Sequence, residues 1–287
     1  SLIQKKFLVL KRKLKKDIGT VSTQTEFSKK VNYMLKQLNT SHTYYVTPND
    51  PEYYHLAAIF SSVPSIQELF HNQDIMYPTV GIFTESIENH IFITSVLPGS
   101  IAEQAGLLMG DEIIALNGAT YDPIDSLKNH VGKKVEFSIR RSLNEKVQKF
   151  TMIPVLINPK VEMLEAEKSS IKLIESQGKK IGYIHIYSYA GEEYHQELVS
   201  AISWGTLKDA DALIIDLRYG FGGADPSYLN IFNQQIPVIT SKDNAGKDYK
   251  YDPQWRNPTV FLVNKTTRSG KEILAFGAKK YHLATVI

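Results

Sequence analysis

Three separate segments of this 287-residue chain carry residue types that together could perform nucleophilic catalysis. Ser41 and His42 are adjacent near the amino terminus, residues 218–223 form a glycine-rich turn, and residues 267–272 place Ser269 ahead of a predicted helix. A serine hydroxyl needs a base that takes its proton and fixed donors that hold an oxyanion. If the fold brings the three segments together they supply all of these, and they predict a serine peptidase.

Ser269 lies between an apolar strand predicted over residues 259–264 and a helix predicted over residues 270–281. The free amides and the positive end of a helix favour an anion at this point, and Gly270 leaves its own amide uncrowded. The alternative is that Ser269 and Glu272 form a capping box that only begins the helix. One residue can serve as both cap and nucleophile, and we interpret Glu272 as structural.

The glycine turn at residues 220–223 follows another apolar strand, predicted over residues 212–217. Glycine-rich turns also bind phosphates, but no Gly-Lys-Ser or Gly-Lys-Thr follows here, which argues against a nucleotide site. We therefore interpret the turn as a holder of a peptide oxyanion. Asp216 and Arg218 are expected to brace it by pairing or by backbone hydrogen bonds.

His42 is one of eight histidines, and a packed or hydrogen-bonded residue at a helix end is the alternative interpretation of it. To act as base, its imidazole must come within about 3 Å of Ser269. His185 falls inside a predicted strand and is expected in the core or at a sheet edge. The other histidines lack metal-ligand spacing, and with no cysteine in the chain we expect no metal and no cofactor. They are His55, His71, His90, His130, His195 and His282.

Charge and hydropathy exclude several functional classes. The chain has 33 basic and 30 acidic side chains, a balance that argues against a nucleic-acid partner. No apolar run approaches the roughly 20 residues that span a bilayer, and the amino terminus lacks the order of a secretory signal, although one already removed is compatible with this sequence. Residues 5–16 mix lysines with apolar residues. They fit an anionic membrane surface or, the interpretation we favour, a helix with a solvated lysine face.

Composition along the chain predicts an α+β multidomain protein. Residues 1–77 have helical spacing and predict a helical cap, residues 78–159 a β-rich domain, and residues 160–287 an α/β domain with a mostly parallel sheet. Strands are expected at 80–84, 91–96, 112–116, 135–140, 181–187, 212–217 and 259–264, with later helices at 192–204, 226–232 and 270–281.

The middle domain resembles a PDZ domain. The resemblance is carried by residues 97–107, which read LPGSIAEQAGL, and by residues 110–118, which read GDEIIALNG. It implies that Val80, Gly81 and Ile82 form the loop that captures the carboxylate of a peptide at an open strand edge. The alternative is a rigid spacer with a closed groove.

The outer segments resemble the C-terminal processing (tail-specific) serine peptidases, and within them the tricorn-protease-like branch. Their strands, the Gly222–Gly223 pair and residues 264–272 follow the family's order, which implies a crotonase/ClpP-like catalytic domain. Residue by residue, the resemblance implies that Ser269 is the nucleophile and that the amides of Gly223 and Gly270 form the oxyanion hole. It also matches Ser41 and His42 to a Ser-His pair ahead of the PDZ domain.

Two departures from this family accompany the resemblance. Tail-specific enzymes use a lysine as base, which would fall beyond Ile287, and Lys271 does not match that lysine. In the tricorn-like branch a carboxylate orients the histidine, and it too would fall beyond Ile287. Residues 284–287 read as the opening of a further strand, so we expect the natural protein to continue and its tail to carry the glutamate, which Ser41 would help to orient. The resemblance favours the periplasm, the cell envelope or secretion.

The combined prediction is a serine endopeptidase that recognises substrate C-termini through its PDZ domain. Two alternatives stay open: an inactive homologue that binds peptides as a scaffold, and a carrier of apolar ligands such as the retinoid-binding proteins that this fold resembles. The sequence does not indicate an oligomeric state or a cleavage preference.

Overall fold

A computed structural model describes residues 2–252 and 254–287. The first residue of the predicted helical cap, Ser1, lies outside the described residues, as does Pro253. The chain forms an amino-terminal group of helices, a small antiparallel sheet and a larger, mostly parallel sheet with helices.

The amino-terminal part is helical, as predicted. Its helices are α1 (Leu2–Asp17), α2 (Gln24–Lys36), α3 (Pro51–Ile59) and α4 (Pro64–Leu69). The α3 and α4 helices each begin on a proline, which lacks the amide that a first helical turn leaves unpaired. Residues 37–50 form a loop that carries Ser41 and His42, and Asn32 on α2 holds this loop through both backbone groups of Tyr45, at 2.7 and 2.8 Å.

The middle part is a five-stranded antiparallel sheet in the order β2-β3-β4-β5-β6, with β2 at one edge. A short antiparallel pair, β1 with β7, lies beside it. Its elements are β1 (Tyr77–Thr79), β2 (Ile82–Ile87), β3 (His90–Val96), α5 (Ile101–Ala105), β4 (Glu112–Leu116), α6 (Asp125–Lys128), β5 (Val135–Arg140), β6 (Gln148–Met152) and β7 (Val155–Ile157).

The predicted strand at residues 80–84 is wrong at its start. The backbone breaks between β1 and β2, because Gly81 adopts a φ of +85° that interrupts an extended chain. A Cβ at Gly81 would lie 2.2 Å from Cβ of Ser100, so only glycine fits this turn. The other three strands predicted in this part are present.

The last part contains a five-stranded sheet in the order β14-β13-β10-β9-β8, in which only β8 runs antiparallel to its neighbour. The mostly parallel sheet was predicted from the alternation of strands and helices. The elements of the last part are α7 (Pro159–Ser170), β8 (Lys172–Ser176), β9 (Lys179–His185), α8 (Glu192–Ser203), β10 (Ala212–Asp216), β11 (Ile239–Lys242), β12 (Asp248–Tyr251), β13 (Thr259–Leu262), α9 (Gly270–Lys280) and β14 (Thr285–Val286).

Some elements of this part were not predicted. The strands β8, β11 and β12 and the helix α7 carry too many polar residues to give an apolar signal, and residues 226–232 form a 3-10 helix rather than an α-helix. Because β9, β10 and β13 are parallel neighbours, the loops that follow them emerge at one edge of the sheet. That edge brings the glycine turn and Ser269 together.

Candidate active site

Ser269 lies at a strained turn between β13 and α9. Its φ of 59° and ψ of −131° are rarely adopted by a residue with a side chain, whereas an ordinary helix cap has extended backbone. The amide of Ser269 donates to Oε2 of Glu272 at 2.6 Å, so the predicted structural role of Glu272 is present. Ser269 and Glu272 form a capping box at the start of α9, but capping alone does not require the strained backbone of Ser269.

Glycines enclose Ser269 on the side of the turn that follows β10. A Cβ on Gly222 would lie 2.6 Å from Cβ of Ser269 and 2.9 Å from the amide nitrogen of Gly270. A Cβ on Gly270 would lie 2.3 Å from the amide nitrogen of Ala224. The two backbone segments therefore approach as closely as glycine allows, with Gly223 between Gly222 and Ala224.

The predicted oxyanion donors are available. Across residues 2–252 and 254–287, no acceptor takes a hydrogen bond from the amide of Gly223 or of Gly270. Gly223 has a φ of +101° and faces Tyr189 and Ala190. Amides that are fixed and unpaired can bind an oxyanion without reorganising.

The glycine turn is held by backbone hydrogen bonds to the loop after β9. The amide of Phe221 donates to the carbonyl of Tyr187 at 2.7 Å, and the amide of Tyr189 donates to the carbonyl of Gly222 at 3.0 Å. A Cβ on Gly220 would lie 1.9 Å from the same Tyr187 oxygen. The turn has little freedom to move.

The predicted brace at the end of β10 is present. Nη2 of Arg218 donates to Oδ2 of Asp216 at 2.6 Å, and Asp216 is fully buried. Burial alone would raise the pKa of Asp216, but the Arg218 guanidinium outweighs it and the pKa lies below its usual value. His185 is buried, as expected, and its Nε2 lies 2.8 Å from the carbonyl oxygen of Arg218.

Ser41 and His42 contact each other at the surface of the helical part. Oγ of Ser41 lies 2.7 Å from Nδ1 of His42, so the other ring nitrogen, Nε2, takes no part in this contact. Within the part of the chain that the structure describes, no hydrogen bond joins His42 to Ser269. The approach of this imidazole to Ser269 stays a prediction.

A side-chain link that the sequence did not predict joins the two regions. Nη2 of Arg268 binds Oε1 of Glu52 at 2.7 Å, and the hydroxyl of Tyr44 donates to the same oxygen at 2.8 Å. Burial, and then the Glu52 carboxylate, raise the pKa of Tyr44 to about 12. Since Arg268 precedes Ser269 and Tyr44 lies two residues after His42, this link places the loop of residues 37–50 beside the turn that carries Ser269.

A cavity of about 1450 Å³ lies where the three parts of the chain meet. Its wall includes Ser41 and Tyr44 from the helical part, Phe83 from β2, and Tyr219 and Arg268 from the last part. An extended polypeptide could therefore contact the edge of β2 and the turn before Ser269 at once.

The proposed carboxylate loop of the middle part is largely closed upon itself. Val80 and Gly81 are buried, and the Gly81 amide donates to Oγ1 of Thr79 at 2.8 Å. A peptide carboxylate would have to replace that hydroxyl. Ile82 is half-buried and begins β2, whose outer edge pairs with no other strand among the described residues.

Lys271 is a further residue whose surroundings were not anticipated. Its side chain is fully buried, and Nζ donates to the carbonyls of Tyr187 at 3.0 Å and Tyr219 at 2.8 Å. A sequence signal existed, because Lys271 shares the helical spacing of Leu274, Ala275 and Ala278, all of which are buried.

Neither a metal-binding cluster nor a membrane-spanning helix is found among the described residues. No group of three or more His, Cys, Asp or Glu side chains is arranged to hold a metal ion. No helix in residues 2–252 and 254–287 combines the length and the apolar character needed to cross a bilayer.

Comparison with protein families identifies two segments. Residues 180–287 match the family model described as peptidase family S41, and residues 92–141 match a PDZ domain. The chain carries a PDZ domain followed by a peptidase family S41 segment. The S41 segment contains the glycine turn and Ser269, and the predicted α+β multidomain fold class and family resemblance are confirmed at this level.

Curated relatives are carboxyl-terminal processing peptidases. Carboxyl-terminal-processing peptidase 2, chloroplastic, of Arabidopsis thaliana is 28% identical over 228 residues, covering 74% of this chain and 42% of its own length. Carboxy-terminal processing protease CtpA of Bacillus subtilis strain 168 is 28% identical over 214 residues, covering 68% of this chain and 42% of its own. The chain thus spans less than half the length of these relatives.

Solved structures with a similar chain path include two proteases. A photosystem II D1 C-terminal processing protease superposes with a TM-score of 0.47 at 15% identity, covering 99% of this chain and 79% of its own. The tricorn protease superposes with a TM-score of 0.42 at 16% identity, covering 96% of this chain and 26% of its own.

Proposed function

We propose that this chain is the catalytic part of a serine endopeptidase that hydrolyses polypeptides, with Ser269 as nucleophile. The observation that carries the proposal is the strained backbone of Ser269 beside the free amides of Gly223 and Gly270. A residue that only capped α9 would need neither this strain nor a glycine-lined neighbour. The family S41 match over the same residues supports the assignment.

In the proposed reaction, Oγ of Ser269 attacks the scissile carbonyl carbon while Nε2 of His42 accepts the hydroxyl proton. The amides of Gly223 and Gly270 hold the resulting oxyanion. The imidazolium then gives its proton to the leaving amine, and the peptide bond breaks to leave an acyl-enzyme. A water molecule, deprotonated by His42, hydrolyses the ester and regenerates Ser269.

Ser41 has a direct part in this scheme. Its Oγ contacts Nδ1 of His42 at 2.7 Å, and when Nδ1 donates to it, Nε2 is left as the proton acceptor. This orienting role acts on the imidazole itself. It adds to the contact with a downstream glutamate that the family resemblance implies.

Fluorophosphonate labelling of the full-length protein tests the nucleophile and the base. Ser269→Ala should abolish the adduct, and His42→Asn should slow labelling by about 10²- to 10⁴-fold because the hydroxyl loses its base. Ser241→Ala and His71→Asn, both at exposed positions, serve as matched controls and should label at the wild-type rate. An adduct that persists in Ser269→Ala would remove this serine from the mechanism.

The PDZ domain is proposed to recognise the carboxyl terminus of the substrate. The open edge of β2 can accept an extended peptide as an added strand, and Phe83 and Thr84 of that strand line the cavity shared with Arg268. Val80, Gly81 and Ile82 would hold the terminal carboxylate, with Gly222 contacting the bound chain near Ser269. The periplasm, the cell envelope or secretion stays the proposed location, as the family resemblance implies.

Peptide binding to Ser269→Ala protein tests this recognition. A peptide with a free terminal carboxylate should bind about tenfold or more tightly than its carboxyl-terminal amide, because only the carboxylate gains charge-assisted hydrogen bonds. Titration calorimetry with both peptides, and with a scrambled peptide as control, measures the difference. Equal affinities for acid and amide would argue against carboxylate capture.

A further inference from the structure

Lys271 is a buried cation two residues after the proposed nucleophile. No part of its side chain is exposed, which is rare for lysine unless the amine has fixed partners. It lies in the first turn of α9 on the face that packs into the core with Leu274, Ala275 and Ala278. The reaction scheme above does not use it.

The amine of Lys271 joins two loops to the helix that Ser269 begins. Nζ donates to the carbonyl of Tyr187, in the loop after β9, at 3.0 Å, and to the carbonyl of Tyr219, in the turn after β10, at 2.8 Å. The two acceptors are 84 and 52 residues away in sequence. One side chain thus fixes α9, the loop after β9 and the glycine turn relative to one another.

The Tyr187 carbonyl binds the glycine turn as well as Lys271. It accepts the amide of Phe221 at 2.7 Å as well as the amine of Lys271, and Gly220 packs directly against it. Tyr219 has a positive φ of 59°, which is strained for a residue with a side chain, whereas Gly220 adopts its φ of 69° without strain. Without the Lys271 amine, the carbonyls of Tyr187 and Tyr219 would each lose a hydrogen-bond donor.

Glu167 is a second buried ionisable side chain, and it interacts electrostatically with Lys271. It lies on α7, is fully buried, and neither carboxylate oxygen has a hydrogen-bond partner in the described part of the chain. Burial raises its pKa well above the usual value and so does the Glu197 carboxylate, while Lys271 opposes them. Burial lowers the pKa of Lys271 to about 7, against the attraction of Glu167 and Asp216, with Arg268 adding to the decrease.

We propose that Lys271 is a positioning residue of the active site, which holds the glycine turn at the correct distance from Ser269 through the carbonyls of Tyr187 and Tyr219. This inference rests on the proposed peptidase function for its effect on rate, but the mechanical link it describes does not depend on catalysis.

The test compares Lys271→Met with Lys279→Met, which removes an exposed lysine from the same helix. Fluorophosphonate labelling at several reagent concentrations separates the limiting labelling rate from the apparent dissociation constant. For Lys271→Met we expect the limiting rate to fall about 10²-fold and the dissociation constant to stay within about threefold, because misplaced donors stabilise the transition state less but leave reagent binding intact. Lys279→Met should match the wild type in both.

Hydrogen exchange of the backbone provides a readout that needs no activity. In Lys271→Met, the amide of Phe221 should exchange about tenfold or more faster, since the carbonyl that accepts it has lost its second donor. If the wild type does not label at all, the peptidase proposal fails and the exchange measurement alone decides the role of Lys271.

Wild-type labelling and wild-type exchange in folded Lys271→Met would overturn the inference. Should Lys271→Met fail to fold, Lys271→Gln is measured in the same assays, because its amide is polar enough for the buried position but is one bond too short to reach both carbonyls. A lower limiting rate and faster exchange at Phe221 would then support the proposal. Values equal to the wild type would overturn it.

Discussion

The chemistry at Ser269 depends on neighbours that have no side chain. Gly222 and Gly270 let two backbone segments approach so closely that a single methyl group on either would collide, at 2.6 Å from Cβ of Ser269 or 2.3 Å from the amide nitrogen of Ala224. Real Cβ atoms are not found at such distances. The strained φ of Ser269 is thereby fixed by packing against these glycines.

At this scale we predict the effect of Gly222→Ala. The new methyl group must displace Ser269 or the Gly270 amide, so the labelling rate with fluorophosphonate should fall about 10²-fold or more while the far-ultraviolet circular dichroism is retained. Gly19→Ala is the matched control, because a Cβ there meets no atom within 4 Å and should leave the rate unchanged. Wild-type labelling of Gly222→Ala would contradict the close approach.

Secondary-structure elements far apart in sequence are joined next to the active site. Arg268 immediately precedes Ser269, and its guanidinium pairs with Glu52 on α3, 216 residues away. It also lies over the ring of Phe221, 5.3 Å from the centroid, in the glycine turn. The helical part is therefore fixed to both the glycine turn and the loop that carries Ser269.

The Arg268–Glu52 pair should measurably couple α3 to the nucleophile turn. In a double-mutant cycle of Glu52→Gln and Arg268→Gln, we expect a coupling energy of about 1 kcal/mol in the free energy of unfolding. This value is smaller than that of a fully buried pair, because about a third of each side chain faces solvent. Urea unfolding measures it. The more exposed Lys168–Glu165 pair on α7 is the control and should couple less.

The same variants report on the proposed base. If the pair positions the His42 loop, Glu52→Gln should also slow fluorophosphonate labelling, by about tenfold. Labelling at the wild-type rate in a folded Glu52→Gln protein would show that the loop reaches Ser269 without this link.

Across the whole molecule, the three parts meet in a buried junction. His55 on α3 contacts the rings of Tyr77 on β1, Phe83 on β2 and Phe221 in the glycine turn, at centroid distances of 5.0, 5.6 and 5.2 Å. The hydroxyl of Tyr77 donates to Glu162 on α7, the helix that leads into the last part. Packing here determines how the PDZ domain sits relative to the active site.

The junction should make stability depend on pH through Glu162. Burial raises the pKa of Glu162 to about 7, with the Tyr77 hydroxyl opposing that rise, so the folded state holds a proton that the unfolded state has lost. Its contribution to stability is therefore fully present below its ordinary pKa of 4.5 and is lost as pH rises to about 7. Glu162→Gln should remove this loss and stabilise the protein at pH 8, by roughly 3 kcal/mol at most.

Urea unfolding of the wild type and of Glu162→Gln at pH 5 and pH 8 checks this. Glu165→Gln, on the exposed side of the same helix, is the control and should follow the wild-type pH dependence. A difference between Glu162→Gln and wild type that is the same at both pH values would rule out a protonated Glu162.

Local sequence was sufficient wherever a short pattern specifies a shape. The apolar runs at residues 212–217 and 259–264 indicated buried parallel strands, and the order strand, serine, helix indicated where Ser269 lies. The motif at residues 97–118 indicated the PDZ domain. Hydrophobic periodicity and turn chemistry act over a few residues, so they can be read without knowing the fold.

Only the tertiary structure decided which distant groups share the site. Packing brings together residues that lie 52 to 216 positions apart in the sequence. It allows Lys271 to donate to Tyr187 and Tyr219, and Arg268 to pair with Glu52. No local pattern encodes such a contact, because a lysine on an apolar helix stripe or an arginine beside a serine fits many partners equally well. The parallel strands select the partners, since they bring the loops after β9, β10 and β13 to one edge of the sheet.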